Sequence, residues 1–340
     1  MSKSRFALFG AGFWAPCQLF GWREVPGVEC VAICDPVVEK AQALAQRFGV
    51  RSVYADPEAL FRNEKLDFVD IVSSVESHYP LALQAASHGI PAISQKPLTT
   101  STDVGEKMVE AFSKKGIPLL VHENWRWQAP IREFKGILQQ TKIGTPVHGR
   151  VSFVTSFDDI SSQPYLKELD QLVIADFGIH LLDMIRFLFG EVTSLYCQTR
   201  SVREDVRGED MATIVMRMEN QMTVVCEISM ACIPVEEDHY PQTLIFVQGA
   251  QGSLELAPDY RIRLTTSEGT FTRRYPPPRY EWADPDYAVV HASIPSCNAH
   301  LLAALRGEVP CETTAADNLR SLRLVTAAYE SARTGEVVRI

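Results

Sequence analysis

The first third of the chain alternates short apolar runs with amphipathic segments, and this alternation constrains the fold more than any other feature. The pattern predicts strands at 5–9, 28–34, 66–72, 90–94 and 117–121, and helices between them at 36–49, 77–89 and 101–116. Strands separated by helices of this length form a parallel sheet with helices on both faces. We therefore expect a doubly wound α/β domain over residues 1–122.

The remainder, residues 123–340, has a different pattern. A helix at 129–140, a strand at 146–157 and an apolar helix within 175–192 precede several strand-like runs between 192 and 275. Turn signals separate consecutive runs, as in antiparallel hairpins. Two helices at 296–306 and 314–333 close the chain. We expect a second α/β domain with a large, mostly antiparallel sheet.

Composition limits the possible partners. The 340 residues include 46% hydrophobic and 22% charged residues, which is ordinary for a globular protein, and a net charge of −9 argues against nucleic acid or an anionic membrane as the main partner. We expect no membrane span and no secretory signal, because the apolar runs are too short. The eight cysteines show neither a CxxC pair nor ligand spacing. Reduced thiols, no metal site and a cytoplasmic location are the corresponding expectations.

The sequence GAGFWA directly after the first strand fits the dinucleotide-binding pattern G-x-G-x-x-A. Gly10 allows the tight turn, Gly12 lets a pyrophosphate approach the backbone, and the small Ala15 allows close packing of helix on strand. The N-terminus of the following helix would face the phosphates. Because Asp35 ends the second strand, where an acidic side chain binds the ribose 2′-hydroxyl, we expect NAD in preference to NADP.

A lysine follows a later strand of the same sheet. Lys96, in QKP, comes directly after the strand at 90–94, so it lies at the carboxyl end of the sheet, where ligands of doubly wound folds bind. Most lysines at such positions are simply exposed surface residues. A function for Lys96 therefore depends on what the rest of the chain supplies.

The segment ADFGIHLLDMIRFLFGEV, residues 175–192, is apolar almost all round and yet contains Asp176, His180 and Asp183. In a regular α-helix these three residues lie within about 60° of each other, on one stripe. A buried polar stripe either has internal partners or performs chemistry. The structural alternative is that Asp176 caps the helix, His180 is a satisfied core histidine and Asp183 bonds a neighbouring loop.

Five motifs, in this order and spacing, resemble the Gfo/Idh/MocA family of oxidoreductases over essentially the whole chain. They are GAGFWA, CDP at 34–36, SSVESHYPLA at 73–82, QKP at 95–97 and DFGIHLLD at 176–183. The resemblance implies a Rossmann domain and an α/β domain with an open-faced sheet. It also implies an active site built from the lysine of an E-K-P motif with an aspartate and a histidine four residues apart. These correspond here to Lys96, Asp176 and His180, and Gln95 replaces the family's glutamate.

The resemblance implies NAD-dependent oxidation of a hydroxyl of a sugar, lactol or polyol. His180 would remove the hydroxyl proton, Asp176 would stabilise the resulting imidazolium, and Lys96 would stabilise the charge on the substrate oxygen. QKP together with HENWRWQ at 122–128 resembles a branch of sugar dehydrogenases, which makes an aldose such as D-apiose a candidate substrate. Two alternatives remain, an NAD-dependent glycosidase, in which NADH would not accumulate, and a non-catalytic dinucleotide sensor.

The remaining expected contacts divide between cofactor and substrate. The cofactor set comprises Gly10, Gly12, Phe13, Trp14, Asp35, Ser73, Ser74, His78, Gln95, Lys96 and Asn124. The substrate set comprises Lys96, Trp125, Arg126, Asp176 and His180. A solvent-facing His78 and a structural Asp183 are kept as alternatives. Apolar strands at 212–218 and 222–230 would leave one face of the sheet uncovered, so we expect a homodimer or homotetramer formed through that sheet.

Overall fold

The computed structural model describes residues 3–340 and divides the chain into two compact units. The first comprises the chain up to Asn124 together with His291–Leu322, and the second comprises Trp125–Val290 and Arg323–Ile340. The expected boundary after residue 122 lies close to the observed boundary after Asn124. The expectation that the whole remainder belongs to the second domain is corrected for residues 291–322, which pack within the first unit.

The sheet of the first unit is parallel, as predicted. Its strands are β1 (Ser4–Phe9), β2 (Val28–Cys34), β3 (Ser52–Tyr54), β4 (Phe68–Ile71), β5 (Ala92–Gln95) and β6 (Leu119–His122). Their order is β3-β2-β1-β4-β5-β6, which is the order of a dinucleotide-binding doubly wound fold. β3 was not predicted, because three residues are too few to show a period.

The predicted helices lie within a few residues of their expected positions, and the structure adds unpredicted four-residue helices at Asp159–Ser162 and Ala288–His291. In chain order the helices are α1 (Ala15–Arg23), α2 (Val38–Phe48), α3 (Pro57–Asn63), α4 (Val75–Ser87), α5 (Thr102–Lys115), α6 (Ala129–Leu138), α7 (Asp159–Ser162), α8 (Ile179–Phe189), α9 (Ala288–His291), α10 (Ser293–Leu305) and α11 (Ala315–Thr334). Gly49 ends α2 in the left-handed conformation that glycine favours, with φ of +67°.

The return of the chain to the first unit has a specific packing reason. Helix α10 lies against α1 at Gly21, where an added Cβ would be only 2.3 Å from Cγ2 of Ile294. Asn298 of α10 also accepts a hydrogen bond of 3.2 Å from Nε2 of Gln18 in α1. An apolar contact and a buried hydrogen bond therefore join α10 to the Rossmann helix.

The segment Pro285–Leu305, which includes α10, corrects the expectation that no run could span a membrane. It is long and apolar enough by length and composition. However, 61% of its most apolar stretch is buried inside the protein. Burial of this extent is typical of a core helix, which agrees with the contacts of α10 with α1 and β6.

The second unit contains the mostly antiparallel sheet that was predicted. Its strands are β7 (Pro146–Val154), β8 (Val192–Arg200), β9 (Met211–Met218), β10 (Thr223–Ser229), β11 (Leu244–Gly249), β12 (Gly252–Ala257), β13 (Arg261–Thr266), β14 (Gly269–Arg274) and β15 (Val338–Arg339). Their order is β14-β13-β12-β11-β7-β10-β9-β8-β15, and β7 pairs with β10 in parallel.

The two faces of this sheet differ in composition. On β9, Ile214 and Met216 are buried, whereas Thr213, Val215 and Arg217 are exposed. The apolar residues that suggested an uncovered face therefore lie mainly on the buried side, where Ile228 of β10 packs near Gly178 at the start of α8. The exposed face mixes polar and apolar side chains.

Candidate active site

The glycine turn after β1 has the geometry that a dinucleotide site requires. Gly10 has φ of +100°, and an added Cβ would lie 2.8 Å from the backbone of Ser73. At Gly12, in contrast, an added Cβ would meet nothing within 4 Å, and the residue is exposed. Helix α1 begins just beyond this open backbone, so the positive end of its dipole is available to a pyrophosphate. Phe13, in the same turn, is also exposed.

Asp35 anchors this turn from the end of β2. One carboxylate oxygen accepts the N–H of Ala11 at 2.7 Å, and the other accepts the N–H of Val37 at 2.8 Å. Each oxygen retains a second lone pair, with which it can accept a ribose hydroxyl. Asp35 thus shapes the glycine turn, a role that the sequence did not indicate, and it remains suited to the ribose.

His78 connects the two loops at the carboxyl edge of the sheet. Its Nε2 lies 3.1 Å from the carbonyl oxygen of Ser73, and its Nδ1 lies 3.1 Å from that of Pro97. The ring is buried, and this burial lowers the pKa of His78. The solvent-facing alternative is therefore wrong. Ser74, by contrast, is exposed at the start of α4.

Gln95 is held by a buried polar network. Its Nε2 donates to Oε1 of Gln18 at 3.4 Å and to Nδ1 of His122 at 3.1 Å. Its Oε1 accepts the backbone N–H of Lys96 at 3.2 Å. A glutamate could not donate to those two acceptors, which is a physical reason for glutamine at this position. Gln95 thereby helps to fix the backbone of Lys96, whose side chain is half-buried.

Asp70 continues the network into β4. Its Oδ2 accepts from Nε2 of Gln18 at 2.9 Å and from Nε1 of Trp22 at 2.6 Å. Within the described residues, Oδ1 is a buried atom without a hydrogen-bond partner. Burial raises the pKa of Asp70 to about 6, although the two donors act in the opposite direction.

Two further predicted cofactor residues belong to the first unit. The amide of Asn124 is buried and donates to Oγ of Ser293 in α10 at 2.8 Å. Trp14 immediately precedes α1, and its ring lies 6.0 Å from that of His291. Ser293 and His291, which belong to the segment 291–322, therefore contact these two predicted cofactor residues.

In the second unit, the helix with Asp176 and His180 is not one regular α-helix. It begins with a π-helical turn, Ile174–Gly178, and continues as α8. The N-cap is Val173, so the alternative in which Asp176 caps the helix is wrong. The angular spacing assumed from the sequence does not apply across a π turn, and such turns are frequent at functional sites.

His180 is buried and stacks on Trp125, with ring centroids 4.5 Å apart and ring planes 22° apart. Nε1 of Trp125 donates to Oγ1 of Thr243 at 3.1 Å. This contact fixes the indole, and the indole in turn fixes the plane of the imidazole. Trp125 was predicted as a substrate contact, and orienting His180 is the role that its geometry adds. No sequence motif pointed to Thr243.

Arg126 forms a buried ion pair with Asp183. Its Nε and Nη2 donate to the two carboxylate oxygens at 2.7 and 2.5 Å, and Asp183 has no exposed surface. The guanidinium also lies 5.3 Å from the ring of Phe187. The pairing agrees with a structural Asp183 and accounts for a buried Arg126 without a substrate. Breaking such a pair typically costs several kcal/mol.

Comparison with known proteins identifies the family. Residues 4–123 match the oxidoreductase family with an NAD-binding Rossmann fold, and residues 131–255 match the GFO/IDH/MocA C-terminal domain. A D-apiose dehydrogenase of Paraburkholderia graminis is 42% identical over 340 residues, covering 100% of this chain and 90% of that protein. The chain belongs to the Gfo/Idh/MocA family. It is an oxidoreductase with an NAD-binding domain.

Two other relatives cover nearly the full length. A D-apiose dehydrogenase of Rhizobium rhizogenes is 38% identical and covers 100% of this chain and 98% of its own. The crystal structure of an oxidoreductase from Agrobacterium radiobacter, in complex with NAD+, L-tartaric acid and magnesium, has a TM-score of 0.97 at 38% identity. It covers 99% of this chain and 98% of that chain. The predicted α/β fold with two different sheets is thus confirmed.

Replacing Asp70 by asparagine should increase stability relative to the natural protein as the pH rises. Because the pKa of folded Asp70 is about 6, above the ordinary 3.8, the stability that it contributes is complete below about pH 4 and is lost as the pH rises through 6. Between pH 4 and 7 the variant should gain up to roughly 3 kcal/mol relative to the natural protein.

Melting temperatures of both proteins across this pH range provide the measurement. The exposed Asp103 gives a matched control, since Asp103→Asn removes a carboxylate that is already in water. A constant difference in melting temperature between the Asp70→Asn variant and the natural protein would contradict the prediction.

Proposed function

We propose that the chain is an NAD-dependent dehydrogenase that oxidises a hydroxyl group of a sugar or its lactol, with D-apiose as the leading candidate. The observation that carries the proposal is full-length similarity to two D-apiose dehydrogenases, at 42% and 38% identity. The glycine turn, the half-buried Lys96 and the buried His180 beside Trp125 are the features expected of such an enzyme.

The cofactor set fits NAD through the open backbone at Gly12 and the lone pairs of Asp35. Bound NAD+ would accept the hydride. Phe13, Trp14, Ser73, Ser74, His78, Gln95 and Asn124 complete the proposed cofactor set, with Gln95 and His78 acting through the loops that they hold. A preference for NAD over NADP is part of the proposal.

Three residues carry out the catalytic steps in this proposal. His180 takes the proton from the substrate hydroxyl, because an imidazole ionises near neutral pH and the stack on Trp125 holds its plane. Asp176 stabilises the imidazolium that forms. Lys96 donates to the substrate oxygen and stabilises its developing charge. Trp125 and Arg126 complete the proposed substrate set, and Arg126 acts through its pair with Asp183.

The proposal predicts that D-apiose reduces NAD+ with accumulation of NADH, followed by absorbance. His180→Ala and Lys96→Ala should each lower kcat by ~10²-fold or more, as expected for the loss of a proton acceptor or of a charge stabiliser. Asp176→Asn should lower kcat and change its pH dependence. NAD binding and melting temperature should stay near normal in His180→Ala.

A half-buried histidine outside the proposed site, His148 on β7, gives the matched control His148→Ala. Retained kcat in folded His180→Ala protein, combined with a large loss of melting temperature, would restore the purely structural role. Product formation without NADH accumulation would favour the glycosidase, and absence of turnover over aldoses, polyols and lactols would favour the sensor.

The choice of cofactor depends on Asp35 in this proposal. The free 2′-hydroxyl of NAD+ suits the carboxylate, whereas the 2′-phosphate of NADP+ is repelled by it. We expect kcat/KM to favour NAD+ and Asp35→Ser to reduce the ratio between the two cofactors. The ratio is the decisive quantity, because loss of the bonds to Ala11 and Val37 should weaken both cofactors. An unmodified enzyme with equal or better kcat/KM for NADP+ would refute the preference.

We also propose a homodimer or homotetramer formed through the exposed face of the second sheet. One row of paired residues across that face contains Tyr196, Val215, Val225, Arg150 and Phe246. Four of these five side chains are apolar or aromatic, and contiguous apolar surface often marks an interface. Light scattering at micromolar concentration should give a multiple of 38.0 kDa, and Val215→Arg should lower it. A monomeric natural protein would be inconsistent with this assembly.

The proposed setting is the cytoplasm, with a small-molecule substrate and neither nucleic acid nor membrane as partner. The eight cysteines are free thiols, and burial raises the pKa of Cys34 and Cys197 to about 12. Thiols with such pKa values are protonated and unreactive at neutral pH, which suits a reducing compartment.

A further inference from the structure

Two residues outside every motif hold the backbone immediately before Asp176. Glu209 lies just ahead of β9, and Tyr329 lies on α11. Oε2 of Glu209 accepts the N–H of Leu172 at 3.2 Å, and Oε1 accepts the N–H of Ile174 at 3.0 Å. The phenol oxygen of Tyr329 accepts the N–H of Ala175 at 3.1 Å. We call this pair the Glu209–Tyr329 clamp.

The two clamp residues are also hydrogen-bonded to each other, and Glu209 binds the backbone of Val173, which lies between Leu172 and Ile174. The O–H of Tyr329 donates to Oε1 of Glu209 at 2.6 Å, and the backbone oxygen of Glu209 accepts the N–H of Val173 at 3.2 Å. Four consecutive amides, 172–175, thus bond to two residues. Asp176 follows directly, and its own N–H bonds to the carbonyl of Leu172 at 2.9 Å.

A helix start ordinarily leaves four amides without intrahelical partners, and a carboxylate there also meets the positive end of the helix dipole. Here a buried carboxylate and a phenol supply the missing acceptors from distant parts of the chain. Because the clamped residues directly precede Asp176, the clamp sets the position of the π turn that carries this aspartate. Burial and the charge of Glu209 raise the pKa of Tyr329, so its hydroxyl remains a donor at neutral pH.

We propose that Glu209 and Tyr329 are positioning residues for catalysis, which hold the π turn so that Asp176 supports the imidazole of His180. This inference rests on the proposed function of Asp176 and His180. The clamp touches neither substrate nor cofactor in this proposal. Its contribution is the placement of one carboxylate.

Two other charged residues of this helix form ion pairs. Asp183 is bound by Arg126, and Arg186 is bound by Glu191 at 2.9 Å. Asp176 directly follows the clamped amides, so the clamp controls its placement. If the clamp loosens, the imidazolium of His180 loses support, and the acid limb of the kcat profile should move to lower pH.

Tyr329→Phe is the informative variant. Tyr329 and Glu209 line an open cleft of about 670 Å³ in the second unit, so water from the cleft can take the place of the lost hydroxyl. The variant should therefore fold. We expect kcat to fall roughly tenfold, because a small displacement of a catalytic group is costly but less so than its removal. The acid limb should shift in the same direction as in Asp176→Asn, by a smaller amount, with KM for NAD+ unchanged.

The chain offers a matched control in its first unit. Tyr54 also donates its hydroxyl to a carboxylate, that of Glu64, at 3.1 Å. Tyr54→Phe removes the same chemical contact away from the π turn and should leave kcat and its pH profile unchanged. In the Asp176→Asn background, Tyr329→Phe should have no further effect on kcat, since residues that act through one another are not additive.

The outcomes separate the inference from the proposed function. Unchanged kcat and acid limb in Tyr329→Phe, with kcat lowered by Asp176→Asn, would overturn the clamp and leave the proposed function intact. Unchanged kcat in both Asp176→Asn and His180→Ala would overturn the proposed function, and the clamp would then have no catalytic group to position. Should Tyr329→Phe fail to fold, Glu209→Gln, which keeps one oxygen acceptor, is subject to the same comparisons.

Discussion

A polar group that the fold removes from water is costly unless it finds a partner inside the protein, and this cost shapes the functional regions of both units. In the first unit, the amide of Gln95 is shared between Gln18, His122 and the backbone of Lys96. In the second, the amides before Asp176 bond to Glu209 and Tyr329. The groups proposed to do chemistry are thus placed by neighbours that are themselves hydrogen-bonded, which is how a site becomes preorganised.

Much of the fold could be predicted because it rests on local signals. The glycines at 49 and 116 end their helices in the left-handed conformation. Strand-like runs separated by turn signals located most strands of the second sheet, and the first sheet followed from strand–helix alternation. β3 and β15 were missed because they span three and two residues. The return of 291–322 to the first unit depends on the contact between Gly21 and Ile294, which local periodicity does not encode.

The residues of the candidate site stay predictions from motif order, whereas the residues that support them could not be predicted from the sequence. Motif order pointed to Lys96, Asp176 and His180, yet the partners that fix them lie far away in sequence. Thr243 is 118 residues from Trp125, and Tyr329 is 154 residues from Ala175. A single residue so distant in the sequence forms no motif or periodic pattern with its partner, so the contact cannot be recognised from the sequence. The π turn could not be predicted either, because the apolar sequence around a single π turn looks like that of a regular α-helix.

The segment that contains the π turn is held at both ends, so the number of residues between its two anchors is fixed. Its start is tied to Glu209 and Tyr329, and His180 beyond it is stacked on Trp125. Each residue of a helix contributes about 100° of rotation and 1.5 Å of rise. Adding or deleting a single residue between the anchors would turn one end away from its contacts, whatever the inserted side chain. The number of residues in this segment is therefore fixed by its two anchors, unlike the length of a surface loop.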